Sequence, residues 1–174
     1  MRAPFIVTPA KESVVIGELA ARLVADGYSA ADTFIITVST DYSSVVGQHL
    51  RHALSIGGEI CGGFGIDVPY PDEEWDTTTT SRIEEMFRMY RDEWSGKRLL
   101  LVEAGVIRGT NFRVVVEIAR GIVAAGPILT LAMWENIGSK WQSDYVGEYY
   151  DDGRQDLTFW WERPNTHWTS KLNN

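Results

Sequence analysis

A short polar segment between an apolar strand and an apolar helix carries the residues best suited to chemistry. Glu103 ends the predicted strand, and Arg108 and Gly109 follow it. The helix begins near Thr110 and Asn111. Backbone N–H groups at a helix N-terminus bind phosphate, glycine lets the backbone approach the anion, and a guanidinium matches phosphate oxygens. The segment therefore predicts a phosphate site, and the alternative is a tight strand-to-helix turn with a solvent-exposed arginine.

The elements around this segment alternate between strands and helices. Short apolar runs predict strands at residues 33–38, 98–103 and 127–134. Apolar residues at helical spacing predict helices at residues 11–27, 45–54, 83–94 and 111–125. The strands are apolar on both faces, which is typical of a parallel sheet covered by helices on each side. The prediction is an α/β fold with a mostly parallel sheet flanked by helices.

Two stretches fall outside this alternation. Residues 57–80 contain five glycines and no clear periodicity, so we expect a long irregular loop of the kind that is functional or mobile. Five of the seven tryptophans occur late in the chain and predict a β-rich subdomain or an oligomer surface: Trp134, Trp141, Trp160, Trp161 and Trp168. The predicted organisation is an α/β core over residues 1–134 and an aromatic-rich tail over residues 135–174, both in one domain.

Composition and charge exclude several classes of function. The chain has 24 acidic and 16 basic residues and a net charge of −8, which disfavours a nucleic-acid partner because a polyanion needs a basic surface. The single Cys61 excludes an internal disulfide and a cysteine-rich zinc site. The longest uncharged apolar run, residues 121–134, is shorter than the roughly 20 residues that cross a membrane. With no signal-peptide pattern at the start, the expectation is a cytoplasmic protein without a membrane partner.

Residues 98–120, RLLLVEAGVIRGTNFRVVVEIAR, resemble the signature of type I phosphoribosyltransferases. That signature is an apolar strand, two acidic residues, three variable residues and a Thr/Arg-Gly-x-Thr turn that opens a helix. Residues 143–147, SDYVG, resemble the Pro-Asp-Tyr segment of purine-type members, and residues 159–162, FWWE, resemble their terminal Phe-Pro-Trp-Glu. The resemblance implies a phosphoribosyltransferase-like fold in which the tail forms a C-terminal β-rich hood.

The activity that the resemblance implies is transfer of a phosphoribosyl group from phosphoribosyl pyrophosphate to a purine-like base. Mg²⁺ would neutralise the leaving pyrophosphate. Glu103 would hold the ribose hydroxyls, and residues 62–80 would form a closing lid. By position, the 5′-phosphate would be bound by Arg108, Gly109, Thr110 and Asn111. The expected partners are phosphoribosyl pyrophosphate or a nucleotide, and a second copy of the chain in a homodimer.

The chain departs from the family pattern where the ribose and pyrophosphate are held. Ala104 stands in place of the second acid of the signature, so one contact to ribose is missing. Asn111 replaces the last threonine of the turn, a change that still suits a helix cap. The pyrophosphate loop falls on Thr40, Asp41 and Tyr42, where a carboxylate would repel pyrophosphate.

The predicted base site departs from the family pattern as well. The position of the lysine that reads an exocyclic oxygen of the base falls on Trp134 and Glu135. The position of the stacking aromatic falls on Asp156 and Leu157. An acid in place of the lysine favours an amino group or a cation on the base. Together these departures suit either a divergent substrate or a domain that has lost catalysis.

Other candidate sites are weaker. His49 and His52 share one face of a predicted helix and could bind a metal, but a solvent-exposed helix face is the simpler interpretation. The acidic residues at 72–76 indicate a solvated loop, with magnesium binding as the alternative. The glycine run at 62–65 is too short for a dinucleotide fingerprint. Residues 151–153, Asp-Asp-Gly, predict a hairpin turn.

Three functional hypotheses follow. The first is a divergent purine-type phosphoribosyltransferase. The second is a non-catalytic domain that keeps the fold and binds a nucleotide or acts as a scaffold, which Ala104 and Asp41 favour. The third is a structural subunit that assembles through its aromatic tail, because tryptophans are common in cores and interfaces.

Overall fold

A computed structural model describes residues 3–38, 43–55, 59–69, 74–122 and 126–159. The elements in chain order are β1 (Ala3–Val7), α1 (Pro9–Ala25), β2 (Thr33–Val38), α2 (Ser43–Leu54), β3 (Gly62–Ile66), α3 (Thr77–Met89), α4 (Arg91–Trp94), β4 (Arg98–Val106), α5 (Thr110–Ile122), β5 (Ile128–Asn136), β6 (Tyr145–Tyr150) and β7 (Gln155–Phe159). None of the helices in these ranges is long and apolar enough to cross a membrane.

Five strands form one parallel sheet in the order β3-β2-β4-β5-β6. Strands β1 and β7 pair, also in parallel, as a separate two-stranded sheet. The predicted α/β fold with a mostly parallel sheet is thereby confirmed. Strand β6 extends the main sheet and β7 joins the N-terminal strand, so the described part of the predicted hood is built into both sheets.

Helices cover both faces of the main sheet and give it two apolar cores. Helices α1 and α2 pack on one face through buried residues that include Val15, Leu19, Val46 and Leu50. Helices α3, α4 and α5 pack on the other face through residues that include Ile83, Phe87, Trp94, Phe112 and Val115. Every residue of β2 is buried, because each of its two faces meets helices. The continuous apolar runs of the sequence reflect this two-sided burial.

Local capping explains where the helices begin. The Thr8 side chain accepts a hydrogen bond from the Lys11 N–H at 3.2 Å, and Pro9 follows at the first helical position. Asp76 caps α3 by accepting from the Thr79 N–H at 2.6 Å. Because of this cap, α3 begins at Thr77, six residues before the predicted start. The same predicted helix is interrupted at Tyr90, so that α4 is a separate turn.

The prediction of an irregular segment at residues 57–80 is wrong for β3. A Cβ on Gly63 would lie 2.2 Å from the Ile35 carbonyl oxygen of the neighbouring strand, so this strand approaches β2 at a distance that only glycine allows. The glycines that suggested a loop are therefore packing residues of a strand. Since β3 is hydrogen-bonded into the sheet, residues 62–66 do not belong to a lid.

Two turns also differ from expectation. Strand β4 continues through Ala104 and Gly105 to Val106, where the sequence suggested that a turn had already begun. A turn does occur at Asp151, whose carbonyl accepts a hydrogen bond from the Arg154 N–H at 2.9 Å. Its flanking strands β6 and β7 lie in different sheets, so the predicted hairpin is wrong.

Candidate functional site

The topology of the main sheet creates a crevice beyond the carboxyl ends of β2 and β4. From β2 the chain continues outward to β3, and it then crosses back to β4 and proceeds to β5 on the opposite side. Ligands of open α/β sheets bind at such a switch point. Residues Thr40, Asp41 and Tyr42, which follow β2, lie outside the described residues. The segment that follows β4 is described, and the site is built from it.

A pocket that is open to solvent lies at the end of β4, and its volume of about 240 Å³ includes part of that open solvent. Its lining residues are Glu103, Gly105, Ile107, Arg108, Gly109, Thr110 and Asn111. The structure thus brings the predicted ribose residue and the four predicted phosphate residues around one concave surface. The α5 N-terminus begins at Thr110 and faces this surface with the first N–H groups of a helix, which have no intrahelical acceptor.

Gly109 shapes the turn between β4 and α5. Its φ of 73° lies in the left-handed region, where a side chain is disfavoured. A Cβ at this position would also lie 2.1 Å from the Cβ of Trp141, which packs directly over the turn. The neighbouring Arg108 is exposed at the rim of the pocket. The turn is therefore held in one conformation, with a cation at its edge.

Glu103 is the buried carboxyl of the pocket. Its residue is 7% exposed, and one carboxylate oxygen, Oε1, accepts a hydrogen bond from Asn111 Nδ2 at 3.3 Å. Burial raises the pKa of Glu103 to about 8 from an ordinary 4.5, against the opposing effect of the Asn111 hydrogen bond. Near neutral pH the group is therefore largely protonated. A neutral carboxyl can donate a hydrogen bond to a hydroxyl or ether oxygen, which a carboxylate cannot do.

Asn111 uses its side chain within the protein. Besides Glu103, its Nδ2 donates to the Pro69 carbonyl at 3.5 Å, and its Oδ1 accepts from Trp75 Nε1 at 3.3 Å. The amide therefore joins the buried carboxyl to the segment that precedes α3. Only the backbone N–H of Asn111 is left for the predicted anion. Trp75 is a site residue that sequence reasoning missed, because it stands in a stretch without periodicity.

Of the four residues at the predicted base positions, Trp134, Glu135 and Leu157 lie close to the pocket without being part of its described lining, and the side chain of the fourth, Asp156, lies outside the described part of the structure. Trp134 is fully buried and packs edge-to-face on Phe159, with ring centroids 5.4 Å apart. Leu157 lies over Gly105, where an added Cβ would be 3.0 Å from its Cδ2. Glu135 is buried, and its Oε2 accepts a hydrogen bond from the Ser143 N–H at 3.0 Å. Their roles toward a base stay predictions.

The turn after β4 is also contacted by residues 136–141, a segment that the sequence predicted to belong to the tail. Asn136 ends β5, and its Nδ2 donates to the Ile107 carbonyl at 3.0 Å. Trp141 packs over Gly109 and donates from Nε1 to Thr130 Oγ1 at 3.3 Å. Asn136 is a polar residue at the carboxyl end of a third parallel strand, and such a position can indicate a site residue. The sequence did not indicate it, because the predicted strand ends two residues earlier, at residue 134.

The predicted histidine pair lies away from the pocket, on α2. His49 Nδ1 is 3.6 Å from Oε1 of the buried Glu12, and His52 is exposed. Within the described ranges no group of three or more His, Cys, Asp or Glu side chains is placed to hold a metal ion. Both histidines are exposed, as the second interpretation of the pair predicts, and His49 also contacts Glu12 of α1.

Solved structures identify the fold. A purine phosphoribosyltransferase from Pyrococcus horikoshii matches with a TM-score of 0.65 at 17% identity, over 92% of this chain and 94% of that one. A xanthine-guanine-hypoxanthine phosphoribosyltransferase from Helicobacter pylori matches with a TM-score of 0.60 at 13% identity, over 95% and 97% of the two chains. A hypothetical protein from Neisseria gonorrhoeae with bound ppGpp matches with a TM-score of 0.65 at 15% identity, over 99% and 96%.

The chain therefore has the phosphoribosyltransferase fold, as the resemblance of its β4–α5 segment implied. It matches no known protein-family profile and no curated protein sequence. At identities this low the likeness concerns the arrangement of helices and strands, and the chemistry has to be argued from the residues of the pocket.

Proposed function

We propose that this chain is a divergent phosphoribosyltransferase-like protein that binds a 5′-phosphorylated ribose and transfers the phosphoribosyl group to a purine-like base. The observation that carries the proposal is the pocket at the end of β4. It combines an α5 N-terminus, a glycine turn with positive φ and the Arg108 guanidinium at the switch point of a phosphoribosyltransferase fold. The 5′-phosphate would bind at this turn, with its charge neutralised by Arg108 and by the helix dipole.

The transfer itself depends mainly on positioning. A ring nitrogen of the base forms a bond to C1 of the ribose, and the bond from C1 to the pyrophosphate oxygen breaks. Pyrophosphate leaves with the electron pair, and the proton of the base nitrogen passes to solvent. In the proposed complex Glu103 contacts the ribose as a neutral acid, because its raised pKa favours the protonated form. Holding both reactants in line supplies much of the rate enhancement in such reactions.

In this proposal Mg²⁺ is bound to the substrate and not to a site on the protein. In the described residues the pocket contains one carboxyl, Glu103, and a pKa of about 8 keeps it largely protonated near neutral pH. These residues do not fit a magnesium ion held by the protein alone, since Mg²⁺ prefers ionised oxygen ligands. We propose Mg²⁺ only as the counter-ion that arrives bound to the pyrophosphate of phosphoribosyl pyrophosphate.

A second candidate function is binding of a nucleotide without transfer. The observation that favours it is that Ala104 and a buried, largely protonated Glu103 occupy the place of the acidic pair in the signature. The Neisseria gonorrhoeae protein of the same fold, solved with bound ppGpp, supports a phosphorylated guanosine as a probe ligand. Under this alternative the same turn binds the phosphate, and no pyrophosphate is released.

A homodimer remains a further prediction. Size-exclusion chromatography with light scattering tests it, since a dimer has twice the 19.6 kDa mass of one chain. A mass of one chain at micromolar concentration would contradict it.

Titration with GMP, guanosine and phosphoribosyl pyrophosphate, followed by tryptophan fluorescence or calorimetry, tests the phosphate site. We expect GMP to bind more tightly than guanosine, and Arg108→Ala to weaken GMP binding by roughly tenfold to a hundredfold, because it removes a charge-assisted hydrogen bond. The matched control is Arg120→Ala, which removes the same charge from an exposed position at the far end of α5. Equal binding of GMP by both variants and by the unmodified protein would show that the turn is not the phosphate site.

Release of pyrophosphate then separates the two candidate functions. The protein is incubated with phosphoribosyl pyrophosphate, Mg²⁺ and each of a panel of purine bases. Base-dependent release that Arg108→Ala reduces supports the transferase. Tight GMP binding without release for any base supports the binding protein.

A further inference from the structure

We propose that Asn136 is the positioning residue of the anion-binding turn: its side-chain amide, delivered from the end of β5, sets the orientation of the peptide that leads into Arg108. The inference rests on the proposed function in one respect, namely that this turn binds phosphate. The claim about the conformation of the turn stands on the contacts of Asn136 itself.

Every polar atom of the Asn136 side chain is used to join loops at the carboxyl edge of the sheet. Nδ2 donates to the Ile107 carbonyl in the turn after β4 at 3.0 Å. Oδ1 accepts from the Gly138 N–H at 3.2 Å and from the Asp152 N–H, beyond β6, at 3.1 Å. One amide group therefore connects the segments that follow three neighbouring strands. An asparagine is suited to this task because it carries donors and an acceptor on one short planar group.

The donated bond fixes a particular peptide plane. In a planar trans peptide the carbonyl oxygen and the following N–H point in opposite directions. When the Ile107 carbonyl is held by Asn136, the N–H of Arg108 must point the other way. A rotation of this peptide would break the 3.0 Å hydrogen bond and redirect the N–H of a residue that lines the pocket. Asn136 thus decides how the backbone enters the turn.

A second contact from the same segment holds the turn two residues later. Trp141 packs against Gly109 so closely that an added Cβ would lie 2.1 Å from the Trp141 Cβ. Two hydrogen bonds of Ser139 order the segment between Asn136 and Trp141. The Ser139 N–H donates to the Asn136 carbonyl at 2.9 Å, and Ser139 Oγ accepts from the Trp141 N–H at 3.1 Å. Both contacts on the turn therefore come from residues 136–141. The anion-binding geometry is set by the β5–β6 connection as well as by α5.

The most informative variant is Asn136→Asp. An aspartate keeps the oxygen that accepts from Gly138 and Asp152 and loses only the donor to Ile107. We expect it to weaken binding of GMP about tenfold and to leave binding of guanosine within twofold, because a preorganised turn matters for the phosphate group alone. Asn136→Ala, which adds no charge, is expected to cause a similar selective loss.

Gln142→Glu is the matched control for the charge. It makes the same amide-to-carboxylate change at an exposed position in the same connection. We expect it to leave the ratio of GMP to guanosine affinity unchanged. If Gln142→Glu reduces that ratio as much as Asn136→Asp does, the effect is long-range charge repulsion and the positioning role is wrong. The inference is also overturned if folded Asn136→Asp and Asn136→Ala proteins bind GMP within twofold of the unmodified protein.

Hydrogen exchange of the backbone amides at residues 107–111 gives a readout that needs no ligand. Faster exchange there in Asn136→Asp, with unchanged exchange in Gln142→Glu, supports the positioning role. If the unmodified protein binds GMP no better than guanosine while this difference persists, the proposed phosphate function fails and the positioning of the turn stands. If exchange is the same in all three proteins, the positioning role fails whatever the protein binds.

Discussion

Replacing Glu103 by glutamine tests the central electrostatic feature of the pocket. The native carboxyl has a pKa of about 8, raised by burial from an ordinary value near 4.5. Between these two pH values the folded protein keeps a proton that the unfolded chain releases. Folding stability must therefore fall as pH rises through this window. Glutamine mimics the protonated carboxyl in shape and cannot ionise, so the variant lacks this pH dependence.

The magnitude follows from the difference between the two pKa values. At about 1.4 kcal/mol per pH unit, the full loss between pH 4.5 and pH 8 is about 5 kcal/mol. Between pH 5 and pH 8 the measurable part is about 3 to 4 kcal/mol, because both ends of the range lie close to a pKa. The stabilising effect of the proton is complete below pH 4.5 and is lost as pH rises toward 8.

The assay is urea unfolding at pH 5, 6, 7 and 8. The measured quantity is the free energy of unfolding of the Glu103→Gln variant minus that of the unmodified protein. Taking the difference cancels the titration of all other groups. We expect the glutamine variant to gain about 3 to 4 kcal/mol relative to the unmodified protein across the series. Glu117→Gln, an exposed carboxyl on α5, is the control and should show a flat difference. A flat difference for Glu103→Gln as well would refute the argument that burial keeps this carboxyl protonated.

Further predictions concern the packing around the turn. Gly109→Ala should abolish the preference for GMP over guanosine and lower stability by at least about 1 kcal/mol, since it combines a positive φ with a collision against Trp141. Gly121→Ala, with nothing near its Cβ position, should be neutral or stabilising by up to about 1 kcal/mol in the same denaturation experiment. Thr130→Val should cost about 1 to 3 kcal/mol in urea unfolding, because the hydroxyl donates to the Asp144 carboxylate at 2.9 Å and accepts from Trp141 Nε1 at 3.3 Å; unchanged stability would show that the hydrogen bonds of this hydroxyl contribute nothing.

Local patterns predicted most of the secondary structure. Strand β2 matches the predicted residues 33–38, α1 lies within two residues of its predicted bounds, and α5 begins one residue before its predicted start, while the predicted end of that helix, residues 123–125, lies outside the described residues. The two helices have strong helical periodicity, and β2 is a short continuous apolar run. Strand β3 was missed because its glycines serve close packing against Ile35. That reason is visible only when the two strands are side by side.

In the candidate site, too, local features were predicted from the sequence and contacts between distant segments were not. The residues of the β4–α5 turn were predicted as one group because they are contiguous and a strand-to-helix turn brings them together. The partners of that turn were not predicted, because Trp75, Asn136 and Trp141 come from two other connections. Asn111 illustrates the difference: its place at the start of a helix was foreseen, but the use of its side chain to join Glu103 to Trp75 was not.

The sequence by itself determined strands β2, β4 and β5, their burial on both faces, the helices that alternate with them and the contiguous residues that line the pocket, because each follows from spacing within a dozen neighbouring residues. Only the tertiary structure decided that Glu103 is buried enough to hold its proton, that β6 extends the sheet and that Asn136 and Trp141 hold the turn. These features depend on which distant segments meet at the carboxyl edge of the sheet. Contacts between distant segments are set by the packing of the whole chain and produce no periodic pattern in its sequence.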